Sequence, residues 1–288
     1  MSTSVPQEAL AVYNRAFELA ANGKREEAIN EYRRALELYP NFVEAKNNIG
    51  ELYAEADEIG EAIRAFEAAL ADSRDCRILF NLGVAYCKIG RDAEALDFFY
   101  EAIAQKPSFI EGNYYAGLLL YNKNDYAQAE GHLVKVVAQE PKHIKTNYLL
   151  SHIYYEQKQY DKVLECLNRI RDIAEDQTFI NRYFGFCHYH LGSYKLAAQY
   201  LTSALETHPA YERFKDYIAG LTYENKMREI GDIDKAIAEL EVKVMQSEKP
   251  RLSDASRLSM MYIFKGENSK AESMLLNFKN RMFAASAT

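Results

Sequence analysis

The chain has 288 residues, 48% of them hydrophobic, with only six prolines and thirteen glycines. That is enough apolar material for a large core, and too little chain punctuation for an all-β or linker-rich protein. A net charge of −7 argues against nucleic acid or an anionic membrane surface as partner, and no apolar run approaches the roughly 18 residues of a membrane span.

Residues 1–8 are expected to be disordered, with Pro6 suited to open the first helix. From about Gln7 to Tyr39 the sequence reads as two helices and a tight turn. Ala16 fills a small-residue slot in the first helix, Gly23 marks the turn, Ala28 and Ala35 lie in the second helix, and Pro40 stops it. The second unit repeats this with Gly50, Asp57, Ala62, Phe66 and Ala69, although Arg74 stands where proline is expected.

The third unit, Leu79 to Pro107, is the clearest copy. Leu79, Leu82, Tyr86 and Ile89 form one apolar stripe at helical spacing. Gly83 costs that helix about 1 kcal/mol against alanine, so close approach of a second helix is expected there. Gly90 supplies the left-handed residue that ends the helix. The second helix runs through Ala95, Phe99, Ala102 and Ile103, and Ala95 and Ala102 are expected to let it lie against Gly83.

The fourth unit has Gly117, Asn124, Ala129, Leu133 and Pro141; the fifth has Ser151, Lys158, Val163, Leu167 and Ile170, with Glu175 in place of proline; the sixth has Gly185, Gly192, Ala197, Leu201, Ala204 and Pro209. The first small residues of the second helices are Ala28, Ala62, Ala95, Ala129, Val163 and Ala197, at steps of 34, 33, 34, 34 and 34. A spacing this regular marks a repeat architecture.

These residues resemble the tetratricopeptide repeat (TPR) family, whose unit joins a helix–turn–helix to the same small residues and a final proline. The resemblance covers about Ala9 to Met282. It implies an all-α, right-handed α-solenoid of about eight repeats in a single superhelical domain over 9–283. The repeats are placed at about 9–42, 43–75, 76–109, 110–143, 144–177, 178–211, 212–250 and 251–283.

The seventh unit keeps Gly231, Ala236, Leu240 and Pro250, but its second helix comes 39 residues after the sixth. A lengthened first helix is expected over Tyr211–Ile230. The eighth has Ser259, Gly266, Ala271, Leu275 and Phe278. A terminal repeat ordinarily needs a polar outer face, yet Met274, Leu275, Phe278, Met282 and Phe283 are apolar. This end is expected either to fold back on itself or to dock on another copy.

No nucleotide-binding glycine loop, GxSxG or HExxH occurs. Cys76, Cys87, Cys166 and Cys187 form no CxxC pair, which fits reduced thiols in a cytosolic protein. No signal peptide is recognisable, so the expected location is cytoplasmic, and periplasmic or secreted only if a signal peptide has been removed. Cys187, His188 and His190, with His152, supply at best three metal ligands where zinc takes four. No catalytic residue, cofactor or metal is expected.

By the family resemblance, first helices line a concave surface that binds peptides. On that face Asn48 and Asn81 continue a series begun by Asn14, and an asparagine amide both donates to and accepts from a peptide backbone. Arg77, Lys88 and Arg182 are basic on this face, as is Lys145. Tyr114, Tyr115, Tyr121, Tyr148, Tyr155, Tyr183, Phe186 and Tyr189, with His152, make it aromatic, a composition suited to recognition. Tyr13 and Phe17 stand where a chaperone-tail clamp of this family needs Lys and Asn, which argues against that subclass. The expected function is a non-catalytic protein-interaction module for a peptide or helical segment, and the basic residues of this face point to an acidic or C-terminal one. The alternatives are a self-assembling scaffold joined through the C-terminal repeat and, less well supported, a metal-dependent enzyme.

Overall fold

A computed structural model describes residues 5–207, 215–247 and 251–285. Among them every regular element is helical, and the helices follow one another as pairs. The chain divides into two compact units, 1–157 and 158–288.

The N-terminal unit holds α1 (Gln7–Ala21), α2 (Arg25–Leu38), α3 (Val43–Glu55), α4 (Ile59–Asp72), α5 (Cys76–Lys88), α6 (Asp92–Gln105), α7 (Ile110–Asn122), α8 (Tyr126–Gln139) and α9 (Ile144–Glu156). Each pair packs on itself, each second helix packs on the next first helix, and α3, α5, α7 and α9 also touch in succession. The expected disorder of 1–8 falls partly on 1–4, outside the described residues; Gln7 and Glu8 are already helical.

One turn recurs. After α1 the Lys24 N–H reaches back to the Leu19 carbonyl at 2.9 Å, and Gly23 takes φ +73°. This is the Schellman closure, which satisfies carbonyls left over at the helix end. The same i to i−5 bond closes α3, α5, α7, α11 and α15. The turn slots read from the sequence, Gly23, Asp57, Gly90, Asn124, Lys158, Gly192, Gly231 and Gly266, all have positive φ. Three of them are not glycine, and they hold the left-handed conformation at some cost.

The seam within a pair is not built from small residues alone. A Cβ on Gly83 would sit 2.4 Å from Cε1 of Phe99, so it is the Phe99 ring that occupies the missing side chain's place. Ala95 and Ala102 flank that ring, fully buried. Gly50 receives Phe66 in the same way, and Gly117 and Gly185 receive Leu133 and Leu201. Burying a phenylalanine of this kind contributes about 1.5–3 kcal/mol. Leu79, Leu82 and Tyr86 lie in the core as expected. Ile89 does not: α5 ends one residue earlier, and Ile89 is 46% exposed.

The missing proline of the second repeat has a local substitute. Arg74 binds Glu101 through both carboxylate oxygens, at 2.6 and 2.5 Å, and its carbonyl accepts from Gln105 at 2.7 Å. These contacts tie the α4–α5 connection to α6.

The C-terminal unit holds α10 (Tyr160–Ile170), α11 (Gln177–His190), α12 (Tyr194–Thr207), α13 (Lys215–Glu229), α14 (Ile233–Glu241), a π-helical segment (Val242–Gln246), α15 (Leu252–Phe264) and α16 (Asn268–Ala285). Its last repeats share a core of Met227, Ile237, Leu240, Val244, Leu258, Met261 and Phe278. Of the lengthened helix expected at Tyr211–Ile230, the structure describes Lys215–Glu229 as α13; residues 211–214, and the stops at Pro209 and Pro250, lie outside the described residues. At the expected bare C-terminal end Met274 and Phe278 are buried, while Leu275 is 39% and Leu276 59% exposed. The side chains of Met282 and Phe283 lie outside the described residues.

Candidate functional site

Each first helix buries the side that carries its small residue, Ala16, Gly50, Gly83, Gly117 or Ser151, which leaves the opposite face of α1, α3, α5, α7 and α9 as a strip. Ten of the fourteen residues expected at a binding site lie in this unit, and Arg182, Tyr183, Phe186 and Tyr189 lie in the other.

The strip begins polar. Asn48 donates to the hydroxyls of Tyr13 at 3.1 Å and Tyr32 at 3.0 Å. Burial raises the Tyr32 pKa above the ordinary phenol value, so this hydroxyl stays protonated. Asn81 donates to Oδ1 of Asn47 and Oε1 of Glu51, each at 2.9 Å, and Asn47 donates to the same Glu51 oxygen at 2.8 Å. The two asparagines at one slot therefore serve different networks, and both spend their N–H groups inside the protein. Lys88 is also engaged, with the Ala54 carbonyl at 3.2 Å and Asp57 at 3.4 Å. The Arg77 guanidinium is exposed and, among the described residues, unpaired. A cavity of about 360 Å³ opens here, lined by Tyr13, Glu44, Asn47, Asn48, Asp75 and Arg77 among others.

From α7 onward the strip is aromatic. Tyr115 packs against Phe80, Phe99 and Tyr114, with ring centres 5.3, 5.7 and 5.4 Å away. It is part of the wall between repeats as much as of the surface. Tyr114 stands outside it, against His143 at 5.1 Å, and lines a cavity of about 460 Å³ with Ile110, Glu111, Lys142, Ile144 and Lys145. Tyr121 meets His152 edge-on at 5.5 Å, and Tyr126 meets the same ring at 6.1 Å. The Nδ1 atom of His152 is buried and has no hydrogen-bond partner among the described residues. Tyr148 and Tyr155 are half-buried on α9.

Two residues that the sequence reading passed over set the geometry of this half. Asn113, fully buried, donates to the Pro107 and Phe109 carbonyls at 3.1 and 2.8 Å; Asn147 does the same for Pro141 and His143 at 2.9 and 3.0 Å. Each asparagine fastens the loop after a proline to the start of the next first helix. Their recurrence 34 residues apart was the available signal. With both N–H groups of Asn113 committed, its oxygen must accept from Nδ1 of His132 at 3.1 Å, which fixes the tautomer of that ring.

In the C-terminal unit Arg182 lies over the rings of Phe179 and Tyr183, at 5.6 and 5.3 Å. Phe186 and Tyr189 pack against the cluster of Ala197, Leu201 and Leu221, so they serve the core as well as the surface. Cys187 is fully buried and His190 is exposed, stacked on Tyr160 at 4.5 Å. Their three-residue spacing does not bring them to one side. His188 is half-buried and stacks on Tyr200 at 5.5 Å. Burial pushes the thiols of Cys87 and Cys166 up to about 11 and that of Cys187 up to about 12, so they are protonated and weakly nucleophilic near neutral pH. Among the described residues no three His, Cys, Asp or Glu side chains come together as a metal site, and no helix is long and apolar enough to cross a membrane.

Comparison with known proteins agrees with this geometry. Profiles of the tetratricopeptide repeat match residues 18–57, 55–108 and 120–178, together just over half of the chain. The chain belongs to the tetratricopeptide repeat family. Among curated relatives it is 31% identical over 108 residues to the peroxisomal targeting signal receptor of Candida albicans, covering 36% of this chain and 18% of that protein. It is 28% identical over 89 residues to the receptor of the same name from Saccharomyces cerevisiae, covering 31% and 14%. The matches span at most about a fifth of the length of such relatives. Among solved structures, Pseudomonas aeruginosa PilF shares the fold at a TM-score of 0.61 and 19% identity, over 73% of this chain and 98% of that one. YrrB, described as a TPR protein with an unusual peptide-binding site, matches at a TM-score of 0.51 and 25% identity, over 60% and 89%.

Proposed function

We propose that this TPR protein is a non-catalytic interaction module that holds a peptide or helical segment of a partner on its first-helix faces. The observation that carries this reading is the open strip of the N-terminal unit. It has a hydrogen-bonded polar floor at α1–α5, a half-buried aromatic floor at α7–α9, and a cavity in each. Half-exposed tyrosines give large contact area at low entropic cost, as recognition surfaces require. YrrB is described as having a peptide-binding site, and the curated relatives are named as receptors for a targeting signal, which supports the same reading. Four free cysteines, two of them buried, suit a reducing, cytosolic setting.

The test is affinity capture from the native cell, read by mass spectrometry, with wild type against a Tyr115→Ala, Tyr148→Ala, Tyr183→Ala variant of verified helicity. Loss of the captured partner is expected. Unchanged capture by a folded variant would contradict the aromatic-face reading.

A second reading has its own observation. Leu252, Met260, Ile263 and Leu276 are 66, 46, 53 and 59% exposed on α15 and α16, and clustered apolar surface marks interaction sites. Self-assembly through this repeat predicts a mass that rises with concentration and falls on Ile263→Lys. A monomer throughout a concentration series would exclude it.

A further inference from the structure

One slot on the strip has a pattern of its own. The position held by Leu10 in α1 recurs as Glu44 in α3, Arg77 in α5, Glu111 in α7 and Lys145 in α9, at steps of 33 or 34 residues. The charges alternate: minus, plus, minus, plus. All four side chains are exposed, and none has an ion pair among the described residues. Elsewhere this unit pairs its surface charges, as in Arg74 with Glu101 and Lys46 with Asp72. Glu44 and Arg77 line the first cavity and Glu111 and Lys145 the second, so these groups border the space a ligand enters. Asp75 beside the first cavity accepts from the Arg77 N–H as its helix cap, and Lys142 adds a second cation beside Lys145.

We infer that this row selects an extended ligand segment whose own charges alternate in the complementary order: acidic over Arg77, basic over Glu111, acidic over Lys145. The inference rests on the first-helix faces being the binding surface. Its spacing follows from geometry. Helices in contact lie about 8–10 Å apart, and an extended chain of the polyproline-II type advances about 3.1 Å per residue with three residues to the turn, which returns every third side chain to one side. Successive charges of the ligand therefore fall about three residues apart. A net-acidic protein repels a uniformly acidic ligand at long range, and an alternating ligand avoids that penalty while meeting each rim charge. The row sets register, and the tyrosines supply most of the contact area.

The test uses three fluorescein-labelled peptides that share one tyrosine- and valine-containing frame. At three positions, three residues apart, they carry acidic–basic–acidic, acidic–acidic–acidic or serine side chains. Binding is read by anisotropy against the full chain at low salt. Exposed ion pairs each contribute a factor of a few, so wild type is expected to prefer the first peptide over the second by about tenfold, because the central side chain changes from a pair with Glu111 to a clash with it. A Glu111→Lys variant is expected to invert that order. The milder Glu111→Gln variant, should the charge reversal fold poorly, shifts the preference by about threefold. Equal binding of all three peptides would overturn the charge register and leave the groove reading intact. Retention of the wild-type order by the folded variant overturns the register as well. If none of the peptides binds, the register fails, and the groove reading stands or falls on the tyrosine capture experiment.

Discussion

The two ends of the strip on the N-terminal unit share one helical frame and solve the surface differently. Across α1, α3 and α5 the floor is a set of hydrogen bonds: Asn48 to Tyr13 and Tyr32, and Asn47 and Asn81 to Glu51. Across α7 and α9 it is rings, with Tyr114 and Tyr115 against Phe80 and His143, and Tyr121 against His152. A satisfied polar network is rigid and specific. A tiled aromatic surface offers area and tolerates different side chains. A ligand crossing both ends thus meets a fixed polar grip at one end and an adaptable apolar one at the other.

The largest perturbation removes the frame on which both ends depend. Gly83→Val puts a branched side chain where Phe99 lies 2.4 Å from an added Cβ; a loss of about 3 kcal/mol or more is expected in urea denaturation. Next comes the aromatic end itself. Tyr115→Ala removes a ring packed against Phe80 and Phe99 and is expected to lower stability by about 2 kcal/mol, because part of that ring is wall rather than surface. At the polar end Asn81→Leu leaves the Asn47 oxygen without its donor and Glu51 with one fewer, at a cost of about 1–2 kcal/mol. If that variant proves neutral, the polar floor is not a network.

The smallest effect is in pH. Burial, with Lys135 nearby, lowers the pKa of His132, the ring that holds Asn113 and stacks on Tyr100. The unfolded chain, with its ordinary value near 6.5, takes up the proton first. Stability of the aromatic end is therefore full above about pH 6.5 and falls as the pH drops toward the lowered value. His132→Gln is expected to flatten that part of a stability–pH curve, and a curve unchanged by the substitution would place the acid sensitivity elsewhere.

The frame was legible in the sequence because it depends on local rules. A left-handed turn slot, a small residue about two turns into each pair and a stop near the end recur at fixed spacing, and all eight turn slots carry the expected backbone. The surface was less legible because its partners come from different repeats. The slot shared by Asn48 and Asn81 says nothing of Tyr13 and Tyr32, 35 and 16 residues away from Asn48. The sequence places Lys88 as a cation on this face and gives no sign that the carbonyl of Ala54, 34 residues earlier, accepts from it. Tyr114 and Tyr115 are adjacent in the sequence, yet Tyr115 packs on Phe80 and Phe99 of the preceding repeat while Tyr114 meets His143 at the head of α9. Periodicity fixes which face a residue occupies; it does not fix what a neighbouring repeat places opposite.

The central claim is that the first-helix strip, and not the outer second helices, meets the partner. A photo-crosslinking phenylalanine placed at Tyr114, and in a separate protein at the exposed Val134 of α8, tests it without removing a packed ring. The account predicts a crosslinked partner band from position 114 and none from position 134. A band from 134 with none from 114 would contradict it.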